Sequence, residues 1–235
     1  ADYKEFIQPE TNVIGYFNKS KNIFRIFNGI HETNNFGHYY HNNAHKIYCD
    51  KIKKYIDRFE ENYRETWDGK IMGLSAYGRS KQVENLKDYT TSKELSYNEF
   101  PYIIFEQKHF HLKNPDEQAY ILQNNFENAL VYYLNELKKL NYLEENICLA
   151  GGCFLNVLGN SRLKKHGFNI HVPPCTNDSG LHFGAACFGV FKSKQQITLP
   201  KNIALLGKKY SEEEIETEIK NSNLNYKKYE KFEEL

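Results

Sequence analysis

ICLAGGCFLNVLGNSRLKKHGFNIHVPPCTNDSGLHFGAACFGVF, residues 147–191, decides how this chain folds. Ile147, Cys148, Leu149 and Ala150 make a short apolar run that reads as a buried strand and passes straight into Gly151 and Gly152. A segment with helical spacing follows and closes at His166 and Gly167, where glycine supplies the stop. Phe168 to Val172 reads as a second strand, ended by Pro173-Pro174. Cys175-Thr176-Asn177-Asp178-Ser179-Gly180 then sets an acid among small polar residues after a strand and before a helix, where open α/β sheets bind their ligands. Two glycines after a strand let backbone N–H groups approach a ligand closely, and the helix beyond them adds its positive end. The arrangement suits a phosphate. Asp178 can ligate a metal or orient that phosphate, and it also suits a plain N-cap. The small residues Gly184, Ala185, Ala186 and Gly189 predict a next helix lying tight on the sheet.

Immediately upstream stands the clearest helix. Asn114 is its N-cap, Pro115 its first residue, and Asp116 and Glu117 complement its positive end. Ala119, Leu122, Phe126, Ala129, Leu130, Tyr133, Leu134 and Leu137 recur at helical spacing, so it is a core helix, with Gln123 and Glu127 in packing or solvent roles. Asn156 and Asn160 share one face of the helix after the glycines, with Arg162 nearby; capping and ligand contact are both open for them.

Further out, residues 79–113 are the least periodic part, a candidate insertion with a short strand around Phe100 to Phe105. Before it, Lys70-Ile-Met-Gly-Leu-Ser-Ala-Tyr-Gly78 brings a lysine, small residues and two glycines together, fit either for a lysine reaching an anion or for a turn and helix start. Lys51 to Arg64 reads as a charged amphipathic helix bearing Ile52, Tyr55, Ile56 and Phe59 on one side. His41 and His45 are spaced to share a helix face, as in some metal sites. With no carboxylate at a recognisable spacing, a polar helix surface is the simpler reading. Asn12 to Ile30 reads as a hairpin, marginal alone and therefore expected to join a larger sheet. After Leu199-Pro200 the character changes: a short apolar run, 203–207, precedes Ser211, which caps an acidic helix beginning Glu212-Glu213-Glu214.

The bulk numbers narrow the function classes. In 235 residues, 31 Lys plus Arg balance 30 Asp plus Glu, so no global field selects nucleic acid or a membrane surface. No apolar run approaches the roughly 20 residues of a membrane span, and the first residues lack a signal peptide's apolar core, which predicts a cytoplasmic protein. Five cysteines form no C-x-x-C pair or zinc-like spacing and read as reduced structural thiols, with Cys153, beside the glycines, nearest a ligand.

Taken together, Leu149-Ala-Gly-Gly-Cys-Phe-Leu-Asn156, Asn160 to Leu163, Pro173-Pro-x-x-Asn-Asp-Ser-Gly180 with Gly184-Ala-Ala186, and Gly69-Lys-Ile-Met-Gly-Leu-x-x-Tyr-Gly78 resemble the nodulation and antibiotic O-carbamoyltransferase family. Asn35-Phe-Gly-His-Tyr-Tyr40 resembles a degraded S-L-G-H-x-Y segment of that family, and Leu206 to Ile215 resembles the start of its C-terminal domain. The resemblance implies an α/β fold: an actin-like ATPase (ribonuclease H-like) half-domain with a mixed sheet and flanking helices, over residues 1–198, and the start of a second α/β domain, similar to the tRNA threonylcarbamoyl-AMP synthases, over 199–235. It implies carbamoyl transfer from carbamoyl phosphate, through a carbamoyl-adenylate made with ATP, to a hydroxyl of a small molecule or sugar. On matching positions Gly151, Gly152, Asn156, Asp178 and Gly180 would line the nucleotide site. Asp178 would also ligate a divalent metal such as Fe or Mg, with Lys70 near the same cleft. The family's His-x-x-x-His metal pair belongs far upstream of the Lys70 block, so His41 and His45 do not inherit it. The resemblance therefore implies a fragment, split gene product or remnant whose N-terminal segment and synthase-like domain are missing. An inactive nucleotide-binding scaffold and a relative of the tRNA threonylcarbamoyl-transfer ATPases or sugar kinases are the alternatives.

Overall fold

The computed structural model describes residues 12–18, 23–30, 36–53, 67–81, 83, 87, 89–92, 102–105, 112–196, 198, 207–222 and 225–228. Among them the chain is a mixed α/β protein, mostly helical, with its strands in three separate two-stranded sheets. The one mixed sheet expected from the sequence is not formed by these strands.

Strands β1 (Asn12–Asn18) and β2 (Ile23–Ile30) make the expected antiparallel hairpin, Asn18 opposite Ile23, but as a sheet of their own. Helix α1 (Phe36–Ile52) follows; Phe36, Tyr39, Tyr40, Asn43, Ala44 and Ile47 recur every three or four residues and form its buried face. The helix expected over 51–64 is thus the end of α1 as far as Ile52, and its positions Tyr55, Ile56 and Phe59 lie outside the described residues. Helix α2 (Trp67–Leu74) passes into a 3-10 turn at Ser75–Tyr77, so the lysine block is helix. Within the expected insertion, β3 (Tyr89–Ser92) pairs antiparallel with β4 (Tyr102–Phe105). Ile103 is fully buried, and the Phe105 ring stacks on Tyr39 with centroids 4.0 Å apart, so this excursion contributes to the core.

The centre of that core is helix α3 (Pro115–Lys139). It starts where the capping residues place it: the Asn114 side chain accepts from the Asp116 N–H at 3.0 Å, and Pro115 follows at the first helical position. Phe126 meets Phe36 and Tyr40 edge to face, and burial of a side chain of this size stabilises by roughly 1.5–3 kcal/mol. Polar side chains share the buried face too: Gln118, Gln123 and Asn125 are all nearly inaccessible.

Strand β5 (Asn146–Cys148), helix α4 (Val157–Lys165) and strand β6 (Asn169–His171) form the parallel unit legible in residues 147–172, with Cys148 opposite His171. Two details differ from expectation. Strand β5 is not buried throughout, since Cys148 is exposed and Leu149, just beyond it, is the residue that packs inside. The glycines do not lead directly into the helix either, because a 3-10 turn at Gly152–Leu155 intervenes and Asn156 caps α4 by accepting the Gly159 N–H at 2.9 Å. The local capping bond, rather than the apolar spacing, sets where the helix begins.

Beyond β6, a 3-10 turn at Asp178–Gly180 leads into helix α5 (Leu181–Lys192). This helix has no buried residue, and a Cβ added at Gly184 or Gly189 would meet nothing within 4 Å. The expected tight packing on a sheet is therefore absent among the described residues: the small side chains remove bulk, and no neighbour occupies the space. The chain divides into two compact units, Ala1–Ala186 and Cys187–Leu235. In the second, Ser211 and Glu214 form the capping box expected for helix α6 (Glu212–Asn221), at 3.1 and 2.8 Å. The run 203–206 lies outside the described residues. No described helix is long and apolar enough to cross a membrane. All five cysteines are free thiols, as expected; Cys153 packs against the core, whereas Cys148 is exposed.

Candidate functional site

A cavity of about 510 Å³ opens in the first unit, walled by α1, α2, α3 and the turn after β5. Its lining comes from segments far apart in sequence: Gly37, Tyr40 and His41 on α1, Asp68, Gly69 and Met72 on α2, Phe126 on α3, and Gly152, Cys153, Leu155 and Asn156 from the turn. The size and the apolar lining with a few polar groups are those of a small-molecule site.

The turn wall is fixed by backbone geometry. Gly151 adopts φ +108°, which a side chain would resist, and its N–H donates to the Thr176 carbonyl at 2.6 Å. That bond ties the glycine pair to the loop after β6 and commits the Gly151 amide, so it does not face a phosphate as expected. Gly152 lines the cavity with open space beside its Cα. Gly152 opens the 3-10 turn, and the first amides of a helical turn generally lack an intrahelical acceptor.

Behind this wall lies a buried polar network. The Tyr40 hydroxyl donates to Gln123 Oε1 at 2.7 Å, Gln123 and Asn156 exchange two bonds at 3.0 and 2.9 Å, and Gln123 Nε2 also donates to Glu127 at 2.8 Å. Gln123 thereby links α1, α3 and the cap of α4; it is a positioning residue, which its sequence context did not disclose. Burial raises the Tyr40 phenol far above its ordinary value, helped by the Asp68 and Glu127 charges, so it stays a proton donor. Burial likewise pushes the Cys153 thiol up to about 11, keeping it protonated and poorly nucleophilic.

On the opposite side, His41 Nδ1 lies 3.0 and 3.2 Å from the two Asp68 carboxylate oxygens. His45, one turn further along α1, is buried, packs on Trp67 with centroids 4.7 Å apart, and places Nε2 3.5 Å from Cys49 Sγ. The two histidines thus do separate things: His41 is a polar residue on the exposed helix surface, as the simpler reading expected, while buried His45 departs from it.

Of the site residues named from the sequence, Gly152 and Asn156 line the cavity, and Cys153 does as well. Gly151 supports them from behind. Lys70 is exposed on α2, its ammonium 3.1 Å from the Tyr48 hydroxyl and outside the lining. Asp178 is exposed in its 3-10 turn and also outside the lining. Gly180 is held against the Cys175 carbonyl, which an added Cβ would approach to 2.0 Å, so its role here is to let the loop close. Among the described residues no three His, Cys, Asp or Glu gather as a metal would require. The described donor set around Asp178 therefore does not make a metal centre, and no chemical step is derived through one. The reasoning from sequence missed Gly37, Tyr40, Asp68, Gly69, Met72, Phe126 and Leu155 as lining, although Gly37 and Gly69 stand inside the blocks that carried the resemblance.

A glycine turn at the end of a parallel strand pair, facing a helix-walled cavity, marks a mixed α/β domain with a small-molecule-sized cavity. The chain belongs to the family described as Carbamoyltransferase N-terminus, which matches residues 12–187. It is 52% identical over 44 residues to Nodulation protein U of Sinorhizobium fredii, covering 18% of this chain and 8% of that protein. It is similarly 52% identical over 44 residues to Nodulation protein U of Bradyrhizobium diazoefficiens, with the same shares covered. Against the uncharacterized protein sll1178 of Synechocystis sp. it is 37% identical over 83 residues, 32% of this chain and 14% of that one. The matched stretches thus span only a small fraction of these relatives' lengths. No solved structure matches the chain significantly.

Proposed function

We propose that this chain is part of an ATP-dependent O-carbamoyltransferase, its first unit being a portion of an actin-like ATPase-fold domain that works with segments not included in it. Carbamoyl phosphate gives up its phosphate to water, leaving carbamate, and a carbamate oxygen attacks the α-phosphorus of ATP with pyrophosphate leaving. A hydroxyl of a small molecule or sugar then takes the carbamoyl group from this carbamoyl-adenylate as AMP leaves. The observation that carries the reading is convergence. The glycine turn with Asn156, Gly69 with Met72, and Gly37 come from three separate blocks of the family resemblance, and all line one cavity. In this reading the amides of Gly152 and Cys153 face the adenylate phosphate, a role backbone N–H groups at the start of a helical turn can fill. Asp178 is the position to which the resemblance attaches a divalent metal, Fe or Mg, but the described residues around it form no ligand set, and no step is routed through that metal.

The test is release of AMP and pyrophosphate dependent on carbamoyl phosphate, measured on the chain alone and with the products of neighbouring genes. Release that needs both carbamoyl phosphate and ATP supports the proposal. An assembly that consumes no carbamoyl phosphate refutes it, and ATP binding without turnover would favour the inactive scaffold. An Asp178→Ala variant with unchanged metal and nucleotide affinity removes Asp178 from the site.

A further inference from the structure

Four titratable side chains line the cavity: Tyr40, His41, Asp68 and Cys153. Three are committed. The Tyr40 hydroxyl donates to Gln123, burial keeps the Cys153 thiol protonated, and both Asp68 oxygens face His41 Nδ1. His41 is different. A carboxylate only accepts, so the neutral ring places its proton on Nδ1 and its lone pair on Nε2. No hydrogen bond among the described residues reaches Nε2. The His41 side chain is 47% exposed, Asp68 43%, and the ring leans on Trp67 with centroids 5.2 Å apart, so the imidazole is oriented from two sides and open on a third.

We propose that His41, oriented by Asp68, is the base that takes the proton of the acceptor hydroxyl in this cavity. The inference rests on the carbamoyl-transfer reading above and adds a residue and a role to it. The hydroxyl oxygen attacks the carbamoyl carbon of the adenylate, the bond from that carbon to the phosphate oxygen breaks, AMP leaves with the electron pair, and the hydroxyl proton goes to His41 Nε2. The imidazolium formed is then stabilised by the adjacent Asp68 carboxylate. Asp68 does not touch the reacting atoms and is a positioning residue: it fixes the ring's tautomer and direction, as carboxylates do for catalytic histidines generally. The other groups facing this pair, His45 one turn away, Tyr40 beside it and Cys153 across the cavity, are buried or hold their protons, so none competes for the role. His41 would then set which acceptors react: those whose hydroxyl reaches Nε2 past the apolar side chains of Met72 and Leu155.

The experiment uses water as the acceptor hydroxyl, because it is present in every preparation, and follows pyrophosphate and AMP separately in the assembly that consumes carbamoyl phosphate. His41→Ala should slow AMP release by about 10²- to 10⁴-fold, the usual contribution of a positioned base, while a first burst of pyrophosphate still appears. Added imidazole should restore part of the AMP release by occupying the vacated space. Undiminished AMP release in His41→Ala overturns the proposal, as does a loss that imidazole fails to relieve. A second measurement is independent of turnover: in ¹⁵N spectra of the neutral imidazole, His41 of the chain should show one tautomer, protonated on Nδ1, that Asp68→Asn redistributes. An unchanged tautomer in Asp68→Asn sinks the pair. If wild-type protein releases no AMP at all, the carbamoyl-transfer reading fails and the spectra alone still judge the pair.

Discussion

Replacing Asn156 with alanine removes two things that the structure separates cleanly. The first is the cap of α4, where Asn156 Oδ1 accepts the Gly159 N–H at 2.9 Å. An N-cap lost to alanine costs about 1 kcal/mol. The second is the pair of buried bonds with Gln123, which is 3% exposed and keeps only its Tyr40 and Glu127 partners once Asn156 is gone. At about 0.5–1.5 kcal/mol net for each hydrogen bond, losing the two costs about 1–3 kcal/mol. The sum, roughly 2–4 kcal/mol, corresponds to a fall in Tm of roughly 5–15 °C for a chain of this size. Thermal melts followed by circular dichroism measure it directly. Asn156→Ser keeps the cap and should recover about 1 kcal/mol of the loss. A double-mutant cycle with Gln123→Ala should return a coupling of roughly 0.5–3 kcal/mol, since the residues are in direct contact. A shift in Tm below about 1 °C for Asn156→Ala, or strict additivity in the cycle, would refute the reasoning.

Three further outcomes follow from other parts of the molecule. Burial raises the Glu127 carboxyl above its ordinary value, with the Gln123 hydrogen bond and the Arg162 charge opposing. The folded state therefore holds this proton more tightly than the unfolded chain, and stability is lost as pH rises through and above the normal Glu range; Glu127→Gln should flatten that loss in melts across pH and leave the acidic end unchanged. Exposed Cys148 should react with iodoacetamide well before Cys153, whose thiol is held up to about 11, and peptide mass spectrometry would reveal a reversed order. Gly78→Ala would bring a Cβ to 1.7 Å from the Asp116 carbonyl oxygen and should lower the urea midpoint by about 1–3 kcal/mol equivalent, whereas Gly73→Ala, with open space in α2, should raise it by about 0.5–1 kcal/mol.

Much of the fold was legible because local chemistry decides it. Asn114-Pro115 with its acidic first turn starts α3 within the residue predicted, and Ser211 to Glu214 closes a capping box around bonds made by neighbours in sequence. The hairpin at β1 and β2 and the parallel unit of β5 and β6 were equally visible as apolar runs broken by turn formers. What the sequence concealed is tertiary. The spacing that made Val157 to Lys165 a helix said nothing of the 3-10 turn before it, because that turn depends on Gly151 reaching across to Thr176. Small residues in α5 predicted close packing, but smallness only permits approach and does not supply a neighbour. At the site, Gly152 and Asn156 were identified as lining because they sit in one recognisable stretch. His41 and Asp68, separated by a long piece of chain, meet through the packing of α1 on α2, for which neither segment carries a local sign. Gln123 was hidden for a related reason: on a core helix a polar residue is ordinarily turned outward, and here Tyr40 and Asn156 supply the partners that let it turn in.

Gly78 and Asp116 touch backbone to backbone, with Ser80 bonded to Glu117 at 2.8 Å and Lys51 to Asp116 at 2.6 Å beside them. Chain leaving the α2 block therefore returns, at the start of α3, to the place it left. This makes a neck. Of the described residues between these points, the β3–β4 pair is anchored again where Ile103 is buried and Phe105 stacks on Tyr39. By loop-closure entropy alone, each doubling in length of the connection between β3 and β4 costs about 0.6 kcal/mol. A closed base at Gly78 and Asp116 recommends this connection as the place to insert a fluorescent or affinity tag.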